Sequence, residues 1–375
     1  MPRPQSLLAL ALIVVLVGLA PARDDAPLSS PPTPKKPVTD VYHGVKVVDD
    51  YRWLENAEGP GVRQWTEAQN KYARAVLDKS PALRPLRERL KALLGAPSPG
   101  YADLQLRGET LFALKRQPPK EQPFLVRLDS SADPASAKVI LDPNVLDAKG
   151  KTAIDFYVPS RDGKLVAVSL SEGGSEEGTV YVYEVASGKR LKDVIPRVQF
   201  PTAGGDVAWD ADSAGFFYTR YPRGEEKPEQ DRRFYQQVYH HKLGTPTEED
   251  TYALGKGLPR IAEIFLDPSP DGRYLLATVQ NGDGGEFEHY LRGPDGKWTQ
   301  LTRWADGISA AAFGRDKGLY LLSRKGAPRG KILRLTLDRP ALAGAVTVVE
   351  ESDVAIEGLR FGSNRLYPTI VPSAT

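Results

Sequence analysis

The spacing of apolar residues changes once along the chain, near residue 100. Before that point two segments have apolar side chains every three or four residues, the period of an amphipathic helix. In 60–77 these positions are Val62, Trp65, Tyr72, Ala73, Val76 and Leu77. In the second segment the apolar positions are Leu83, Leu86, Leu90, Leu93 and Leu94. Ser80 is a candidate N-cap for this segment, and Pro81 is a candidate first-turn proline. The pattern predicts two helices whose apolar stripes need a partner surface.

From about Tyr101 onward, short apolar runs separated by Gly, Pro and Asp turns replace the helical period. One unit, a polar turn followed at once by an apolar strand, recurs at a spacing of about fifty residues. Its clearest copy is 267–279, and the others begin at Arg107, Ser160, Asp210, Arg315 and Gly362. A second, alternating strand follows each of the first five copies, at 124–128, 180–185, 237–243, 289–291 and 331–337.

Strands and turns repeated at this period are what a four-stranded propeller blade requires. We therefore predict an all-β fold, a β-propeller with five blades and part of a sixth, preceded by a short helical segment. An ordinary β-sandwich is the alternative, but sandwiches do not normally repeat one signature six times. Pro368 and Pro372 interrupt the sixth copy, because proline cannot donate to a strand ladder. We expect no native blade from Pro368 onward and interpret Thr375 as a premature end or frameshift, which the downstream DNA would test.

Residues 1–22 have the pattern of an export signal. Arg3 precedes an apolar run over 7–20 that ends in Ala20-Pro21-Ala22, which predicts a secretory signal peptide cut after Ala22. An uncleaved anchor is the alternative, but the run is short for a bilayer span. We expect an exported protein, periplasmic or extracellular, with no membrane contact after cleavage. The predicted domains that follow are a Pro-rich tether (23–38), an N-terminal helical segment (39–98) and an incomplete β-propeller (99–375).

Charge and cysteine content narrow the function classes. The chain has 50 Lys and Arg against 48 Asp and Glu, and the charges are scattered, so we expect no nucleic-acid partner. There is no cysteine, which excludes a disulfide, a thiolate zinc site and a cysteine nucleophile. Stability must therefore come from the core alone.

Several motifs occur in a recognisable order. Tyr42-His43-Gly44 is followed by Asp50-Tyr51-Arg52-Trp53-Leu54-Glu55, and then by Trp65 with Ala68-Gln69-Asn70. This set resembles the N-terminal signature of the prolyl oligopeptidases, a group of serine peptidases, although Asp50 stands where that family usually has proline. Further matches fall at 141–144, 171–176, 208–209 and 215–221. The resemblance runs from about residue 37 to 367.

The resemblance implies a seven-bladed propeller inserted after a helical segment and followed by an α/β-hydrolase domain. Enzymes of that family cleave short peptides after proline, and the propeller restricts access to the active site. A hydrolase of this kind needs a Gly-x-Ser-x-Gly nucleophile elbow. The nearest approach here is 173–177, which ends in Glu177, so we interpret Ser175 as a loop serine. We predict that the hydrolase domain is missing from this chain, that the chain holds no catalytic, cofactor-binding or metal-binding residue, and that it is inactive alone.

The remaining candidate residues favour ordinary structural roles. We expect His43 to cap or pack the N-terminal segment. His240 and His241 are neighbours on a predicted strand, where they point to opposite faces and are poorly placed to bind one metal. His289 is placed at a strand start and has no ligand spacing. Residues 281–286 lack the alternating carboxylates of a calcium loop and are predicted to form a flexible blade loop. The mixed charges of 225–233 predict a solvated surface, at most the rim of an entrance.

Two classes of function remain open. The first is the N-terminal and propeller part of an exported prolyl-oligopeptidase-like serine endopeptidase, and the second is a non-catalytic extracytoplasmic propeller that binds a peptide or protein partner. We interpret Tyr42, Tyr51, Trp53 and Trp65 as a mixture of local core and docking surface for a hydrolase domain. The unpaired edges of an open blade array are predicted to make it unstable.

Overall fold

The computed structural model describes residues 29–95, 98–199, 205–362 and 365–371. The chain divides into two compact units, one ending at Ala96 and the other beginning at Pro97. The predicted signal peptide lies outside the described residues, as does the tether up to residue 28. Among the described residues, no helix has the length and apolar character needed to cross a membrane.

The first unit is a β-hairpin followed by two helices. Its elements are β1 (Val38–Tyr42), β2 (Val45–Asp49), a 3-10 turn (Arg52–Glu55), α1 (Pro60–Leu77) and α2 (Leu83–Leu94). Both predicted helices are confirmed. The cap predicted at Ser80 is wrong, because only its backbone carbonyl accepts a hydrogen bond, from the Leu83 N–H at 3.1 Å.

His43 neither caps nor packs the first unit, as it was predicted to do. It lies exposed in the two-residue turn between β1 and β2, where His43 and Gly44 have φ of +50° and +83°. Two consecutive residues in the left-handed region match the strand twist of a two-residue hairpin. Glycine adopts this conformation without steric cost.

The described part of the predicted tether is held against the rest of the first unit, contrary to the expectation of a free linker. Its carbonyl and hydroxyl oxygens accept three side-chain hydrogen bonds: Gln69 Nε2 to Pro31 O at 3.0 Å, Trp65 Nε1 to Thr33 Oγ1 at 3.0 Å, and Trp53 Nε1 to Pro34 O at 2.9 Å. Proline has no N–H but keeps its carbonyl, so a Pro-rich strand can still accept from indole groups.

The four aromatic residues divide into a packed pair and an exposed pair, and a docking surface for a hydrolase domain stays a prediction. The rings of Trp53 and Trp65 meet edge to face, with centroids 6.5 Å apart, and form a small local core. Tyr42 and Tyr51 are exposed, as are Leu90 and Leu94 on α2. No side chain of α2 is buried among the described residues.

The second unit confirms the predicted propeller blades. Each sheet is antiparallel, with its strands in sequence order. Blades 1 and 2 are formed by β3 (Gly100–Arg107), β4 (Thr110–Arg116), β5 (Phe124–Leu128) and β6 (Lys138–Leu141), and by β7 (Thr152–Pro159), β8 (Leu165–Glu172), β9 (Thr179–Glu184) and β10 (Arg190–Pro196). Blades 3 and 4 are formed by β11 (Val207–Trp209), β12 (Gly215–Arg220), β13 (Gln237–Lys242) and β14 (Thr251–Leu254), and by β15 (Ala262–Pro268), β16 (Leu275–Asn281), β17 (Phe287–Arg292) and β18 (Trp298–Thr302). Blade 5 is formed by β19 (Ile308–Phe313), β20 (Gly318–Ser323), β21 (Lys331–Thr336) and β22 (Val346–Val349), and the two-stranded blade 6 by β23 (Ala355–Phe361) and β24 (Leu366–Val371). A single helical turn, α3 (Pro143–Leu146), joins blades 1 and 2.

The repeated signature forms the turn between the first and second strands of blades 1 to 5. In blade 4, Ser269 Oγ lies 2.6 Å from Asp271 Oδ1 and accepts from the Tyr274 N–H at 3.0 Å, while Gly272 has φ of +72°. Blade 2 repeats this geometry with Ser160 and Asp162. Serine and aspartate therefore close the turn by side-chain hydrogen bonds, and glycine supplies the left-handed residue.

The core lies between consecutive blades rather than within any one of them. Phe112 of blade 1 packs with Tyr157 of blade 2, for example, and Phe216 of blade 3 packs with Ile195 of blade 2. Similar clusters join blades 3 and 4, 4 and 5, and 5 and 6. Each blade thus depends on its neighbours, as expected for a repeat array.

Blade 6 corrects the prediction that Pro368 ends the strand. β24 continues to Val371, and Pro368 pairs opposite Leu359 of β23. Proline is tolerated there because β24 is an edge strand in the described structure, so its missing N–H leaves no ladder bond unmade. The other side of the array is also open, since Leu104 and Leu106 of β3 are exposed. The predicted instability of such an array stays a prediction.

Candidate functional site

The first strands of the blades form one edge of their sheets, and neighbouring first strands contact each other, as β11 contacts β15. In a propeller these strands line the central channel. Residues of blades that are not adjacent can meet only near that axis, and Arg161 of blade 2 reaches blade 4. The channel along the first strands is therefore the candidate functional site.

One end of the channel, which we call the closed end, is formed by the turns between first and second strands. Arg161 Nη1 donates to Ser269 O at 3.2 Å, and its Nη2 donates to Pro270 O. A Cβ built on Gly272 would lie 3.0 Å from Ala211 Cβ of blade 3 and 3.1 Å from Arg161 Cζ. Turns from blades 2, 3 and 4 therefore meet here without room for one more methyl group.

Charged side chains from blades 1, 3 and 4 meet within the channel. Asp206 accepts from the Leu266 N–H at 2.9 Å, which joins the chain entering β11 to the free edge of β15. Burial raises the pKa of Asp206 to about 7, and the nearby Asp267 adds to the effect. The side chain of Asp267 is exposed, but the protein packed around it displaces enough water to raise its pKa to about 6, although Arg107 of β3 opposes the shift. Carboxylates with pKa values this far above normal are typical of functional clefts as well as of structural networks.

The opposite end carries the connections between second and third strands and between blades, because the strands run alternately up and down. We call it the arginine end, after Arg197, Arg220, Arg223, Arg232 and Arg233. Blade 3 contributes the long connection 221–236, which includes the predicted mixed-charge run. Two of the arginines are ion-paired: Arg220 binds Glu226 with both Nη atoms, at 2.7 and 2.9 Å, and Arg233 Nη2 lies 3.2 Å from Glu177 Oε1.

A cavity of about 260 Å³ opens between blades 3 and 4 at the arginine end. Aromatic, cationic and acidic side chains line it together, including Tyr221, Phe234, Arg260, Glu263 and Asp283. Arg260 stacks over the Phe234 ring, 3.4 Å from its centroid, and pairs with Asp231 at 2.8 Å. Burial raises the pKa of Glu263, and Asp283 raises it further. Such a mixture can hold a peptide through stacking and backbone hydrogen bonds together.

His240 and His241 point to opposite faces of β13, as predicted. His240 Nε2 lies 2.8 Å from Asp210 Oδ2. The buried His241 has Asp250 Oδ1 2.6 Å from its Nδ1 and Asp193 Oδ1 3.1 Å from its Nε2. Burial alone would lower the pKa of His241, but the hydrogen bonds and charges of the two carboxylates raise it. Both ring nitrogens of His241 face carboxylate oxygens, and these contacts join blades 2 and 3.

His289 is buried in the middle of β17 rather than at its start. Its Nδ1 lies 2.8 Å from Thr302 Oγ1, and burial lowers the pKa of His289 to about 4. It is therefore a neutral residue of the blade 4 interior. Among the described residues, no group of three or more His, Cys, Asp or Glu side chains is placed to hold a metal ion.

The other sequence candidates lie away from the channel charges. Ser175 is exposed in the connection between β8 and β9, and its Oγ accepts from the Glu177 N–H at 3.3 Å. The predicted flexible loop at 281–286 contains a short 3-10 turn (Gly282–Gly284) and a hydrogen bond from Asn281 Nδ2 to Glu286 Oε2 at 3.0 Å.

Sequence reasoning missed the groups that meet in the channel. Arg107, Arg161, Asp206 and Asp267 are separated by up to 160 residues, and each looks like an ordinary turn or strand-end residue by itself. Asp267 directly follows the apolar residues 264–266, but that position says nothing of its partners. Only the ring arrangement of the blades identifies them.

Sheet order, the repeated turn and the charged channel define a β-propeller domain. The family model for the prolyl oligopeptidase N-terminal beta-propeller domain matches residues 31–372. The chain therefore belongs to the prolyl oligopeptidase family, as its motifs indicated.

Relatives of known activity are about twice as long as this chain. A prolyl endopeptidase from Elizabethkingia meningoseptica is 26% identical over 98% of this chain and 51% of the relative. Prolyl oligopeptidase A from Galerina marginata is 27% identical over 83% and 46%. The dual function macrocyclase-peptidase POPB of the same fungus is 30% identical over 67% and 37%. The chain spans about half the length, or less, of these relatives.

Solved structures agree with the family assignment. A prolyl endopeptidase, from work on inter-domain dynamics in catalysis and specificity, superposes with a TM-score of 0.81 at 27% identity, covering 92% of this chain and 50% of that one. Prolyl oligopeptidase B from Galerina marginata, bound to a 35mer hydrolysis and macrocyclization substrate, superposes with a TM-score of 0.75, covering 89% and 50%. At 24% identity, the second match supports the fold alone.

Proposed function

We propose that this chain is the peptide-admitting part of an exported prolyl-oligopeptidase-like serine endopeptidase that cleaves short peptides after proline. The observation that carries the proposal is the asymmetry of the channel. Contacts between blades 2, 3 and 4 close one end, and a mixed polar and aromatic cavity opens at the other. A channel of this form admits extended peptides and excludes folded proteins, which is how a propeller would restrict access to a hydrolase domain.

The chemistry of peptide cleavage is expected from a hydrolase domain and not from these 375 residues. No Gly-x-Ser-x-Gly sequence occurs in them, and Ser175 has no histidine among its hydrogen-bond partners in the described structure. We therefore expect the purified chain alone to release no product from a chromogenic proline dipeptide. Turnover by the chain alone would contradict this division of roles.

A fusion enzyme tests the filter role. The chain would be joined after Val371 to the part of the Elizabethkingia meningoseptica enzyme that it does not cover. We expect the fusion to cleave an octapeptide containing one proline and to leave a folded protein with exposed proline loops intact. The matched control replaces the hydrolase serine of the fusion by alanine and should be inactive on both. Equal cleavage of the octapeptide and the folded protein would refute the filter role.

A second candidate function is a non-catalytic extracytoplasmic propeller that binds a peptide or protein partner. The absence of a Gly-x-Ser-x-Gly motif from these 375 residues favours it. The fusion enzyme distinguishes the two candidates. A binding propeller would hold a proline peptide, but the fusion would gain no peptidase activity.

Export is a separate part of the proposal and rests on residues 1–22. We expect an alkaline phosphatase reporter placed after residue 38 to be active outside the cytoplasm. The N-terminus of the mature fusion, read by mass spectrometry, should be Arg23. A cytoplasmic, uncleaved product would refute export.

A further inference from the structure

Positive charge is concentrated around Arg197 at the arginine end. The guanidinium groups of Arg220, Arg232 and Arg233 repel it, and one carboxylate, Glu177, attracts it. Glu177 is itself engaged by Arg233, at 3.2 Å. Among the described residues, no carboxylate lies within ion-pair distance of Arg197, Arg223 or Arg232. The segment 200–204, which lies outside the described residues, contains no charged side chain. The charge of Arg197 therefore has no ion-pair partner among the described residues.

Arg197 is the most unusual member of the cluster. Its guanidinium is half-buried, and one Nη2 hydrogen bond reaches the carbonyl of Arg232. Burial lowers the pKa of Arg197, attraction by Glu177 opposes the shift, and repulsion from Arg233 and Arg232 adds to it. A partly desolvated cation among like charges is costly unless an anion balances it. Its pKa is far above neutrality in water, so it stays charged.

Buried polar atoms without partners lie in the same region. Among the described residues, these are the Nε atoms of Arg197, Arg220 and Arg223 and the Oε1 of Gln199, a residue that is only 6% exposed. Buried donors and acceptors are nearly always hydrogen-bonded in native proteins, so such a concentration calls for a missing partner. Three of the four atoms are donors, and one of them belongs to Arg197, whose side chain is itself partly exposed.

We propose that Arg197, with Arg232 and Arg233 beside it, binds a carboxylate of the incoming peptide, either its C-terminal carboxylate or an Asp or Glu side chain. Guanidinium groups bind carboxylates in a bidentate fork, and the strength of that contact rises when water is partly excluded. Placed at the open end of the channel, the site selects and orients acidic or free-ended peptides before they pass between the first strands. This inference rests on the proposed function only in taking peptides as the ligand class.

The test is isothermal titration of the full 375-residue chain with three N-acetylated octapeptides that share one proline. One has a free C-terminal carboxylate, one a C-terminal amide, and one an amide together with a glutamate near its C-terminus. We expect both acidic peptides to bind at least tenfold more tightly than the neutral amide at low salt, with the preference falling as salt rises. A preference for only one of them identifies which carboxylate is bound.

Variants locate the site. Arg197→Gln should reduce the preference to less than threefold, and Arg197→Lys should keep part of it. The matched control is Arg334→Gln, an arginine of blade 5 already paired with Asp316 at 2.8 Å, and it should leave the preference unchanged. Circular dichroism and melting temperature check that each variant folds.

Equal binding of acidic and neutral peptides by the unaltered chain, or no binding of any of them, would overturn the proposal whether or not the variants fold. A preference that survives in folded Arg197→Gln would also overturn it. An inactive fusion enzyme with an intact acidic preference would instead remove the peptidase role and leave the site in place.

Discussion

The two ends of the channel are built in different ways. At the closed end, turns from blades 2, 3 and 4 contact each other directly, through Arg161, Ala211 and Gly272. At the arginine end, most ion pairs lie within one loop or between neighbouring loops, and cations remain unpaired. Packed contacts between blades fix a geometry, whereas unpaired charges leave a binding capacity. One end is therefore suited to holding the blades together and the other to meeting a ligand.

The largest difference in stability between substitutions at the two ends is expected for glycine. Gly272→Ala introduces a side chain at φ of +72° and a contact of 3.0 Å with Ala211, whereas Gly326, at φ of +64° at the arginine end, has nothing within 4 Å. Both variants bear the cost of a left-handed alanine, and only the first is also overpacked, so Gly272→Ala should be less stable by a further ~1–3 kcal/mol. Urea unfolding of the two variants measures this difference. Equal stabilities would show that the closed end is loosely packed.

Arginine substitutions at the two ends should show a smaller difference in unfolding free energy, again with the larger loss at the closed end. Arg161→Ala removes charged hydrogen bonds to two backbone carbonyls of another blade and is expected to cost about 1–3 kcal/mol. Arg233→Ala removes an exposed ion pair with Glu177 and should cost about 0–1 kcal/mol. Unfolding free energies at matched salt compare the two. A larger cost for Arg233→Ala would reverse the assignment of the ends.

Much of this architecture could be predicted from the sequence, because it depends on local patterns. The polar residues of each turn act within six residues of one another, so the recurrence of a polar turn before an apolar strand predicted the blades. The prediction at Pro368 was wrong, because tertiary structure decides whether a strand is central or at the edge of a sheet. The pairing of Asp206 with Leu266 and of Arg161 with Pro270 could not be predicted either, since both depend on how blades are placed around the axis.

The smallest expected effect is a pH dependence from the channel carboxylate Asp206. Its pKa is raised from 3.8 to about 7, so the fold favours its protonated form. Its contribution to stability is fully present below about pH 4 and is lost as the pH rises toward 7. Asp206→Asn mimics the protonated group and should gain stability relative to the unaltered chain between pH 4 and 8.

The pH measurement has its own control at the arginine end. Glu226 has a pKa lowered by its hydrogen bond to Arg220, so Glu226→Gln should show the opposite trend, losing stability relative to the unaltered chain as the pH rises to the ordinary glutamate pKa of 4.5 and keeping a constant deficit above it. Unfolding by urea at a series of pH values records both variants. Parallel curves for Asp206→Asn and the unaltered chain would mean that Asp206 ionises normally.

Photo-crosslinking tests most directly whether peptides enter the channel from the arginine end. A proline octapeptide with a free carboxylate and a benzophenone near its C-terminus would be bound to the 375-residue chain, irradiated, and its attachment sites mapped by mass spectrometry. We predict crosslinks in the connections that carry Tyr221, Arg233 and Arg260, and their loss in Arg197→Gln. Crosslinks concentrated at the turns of Arg161 and Gly272 would contradict the assignment of the closed end.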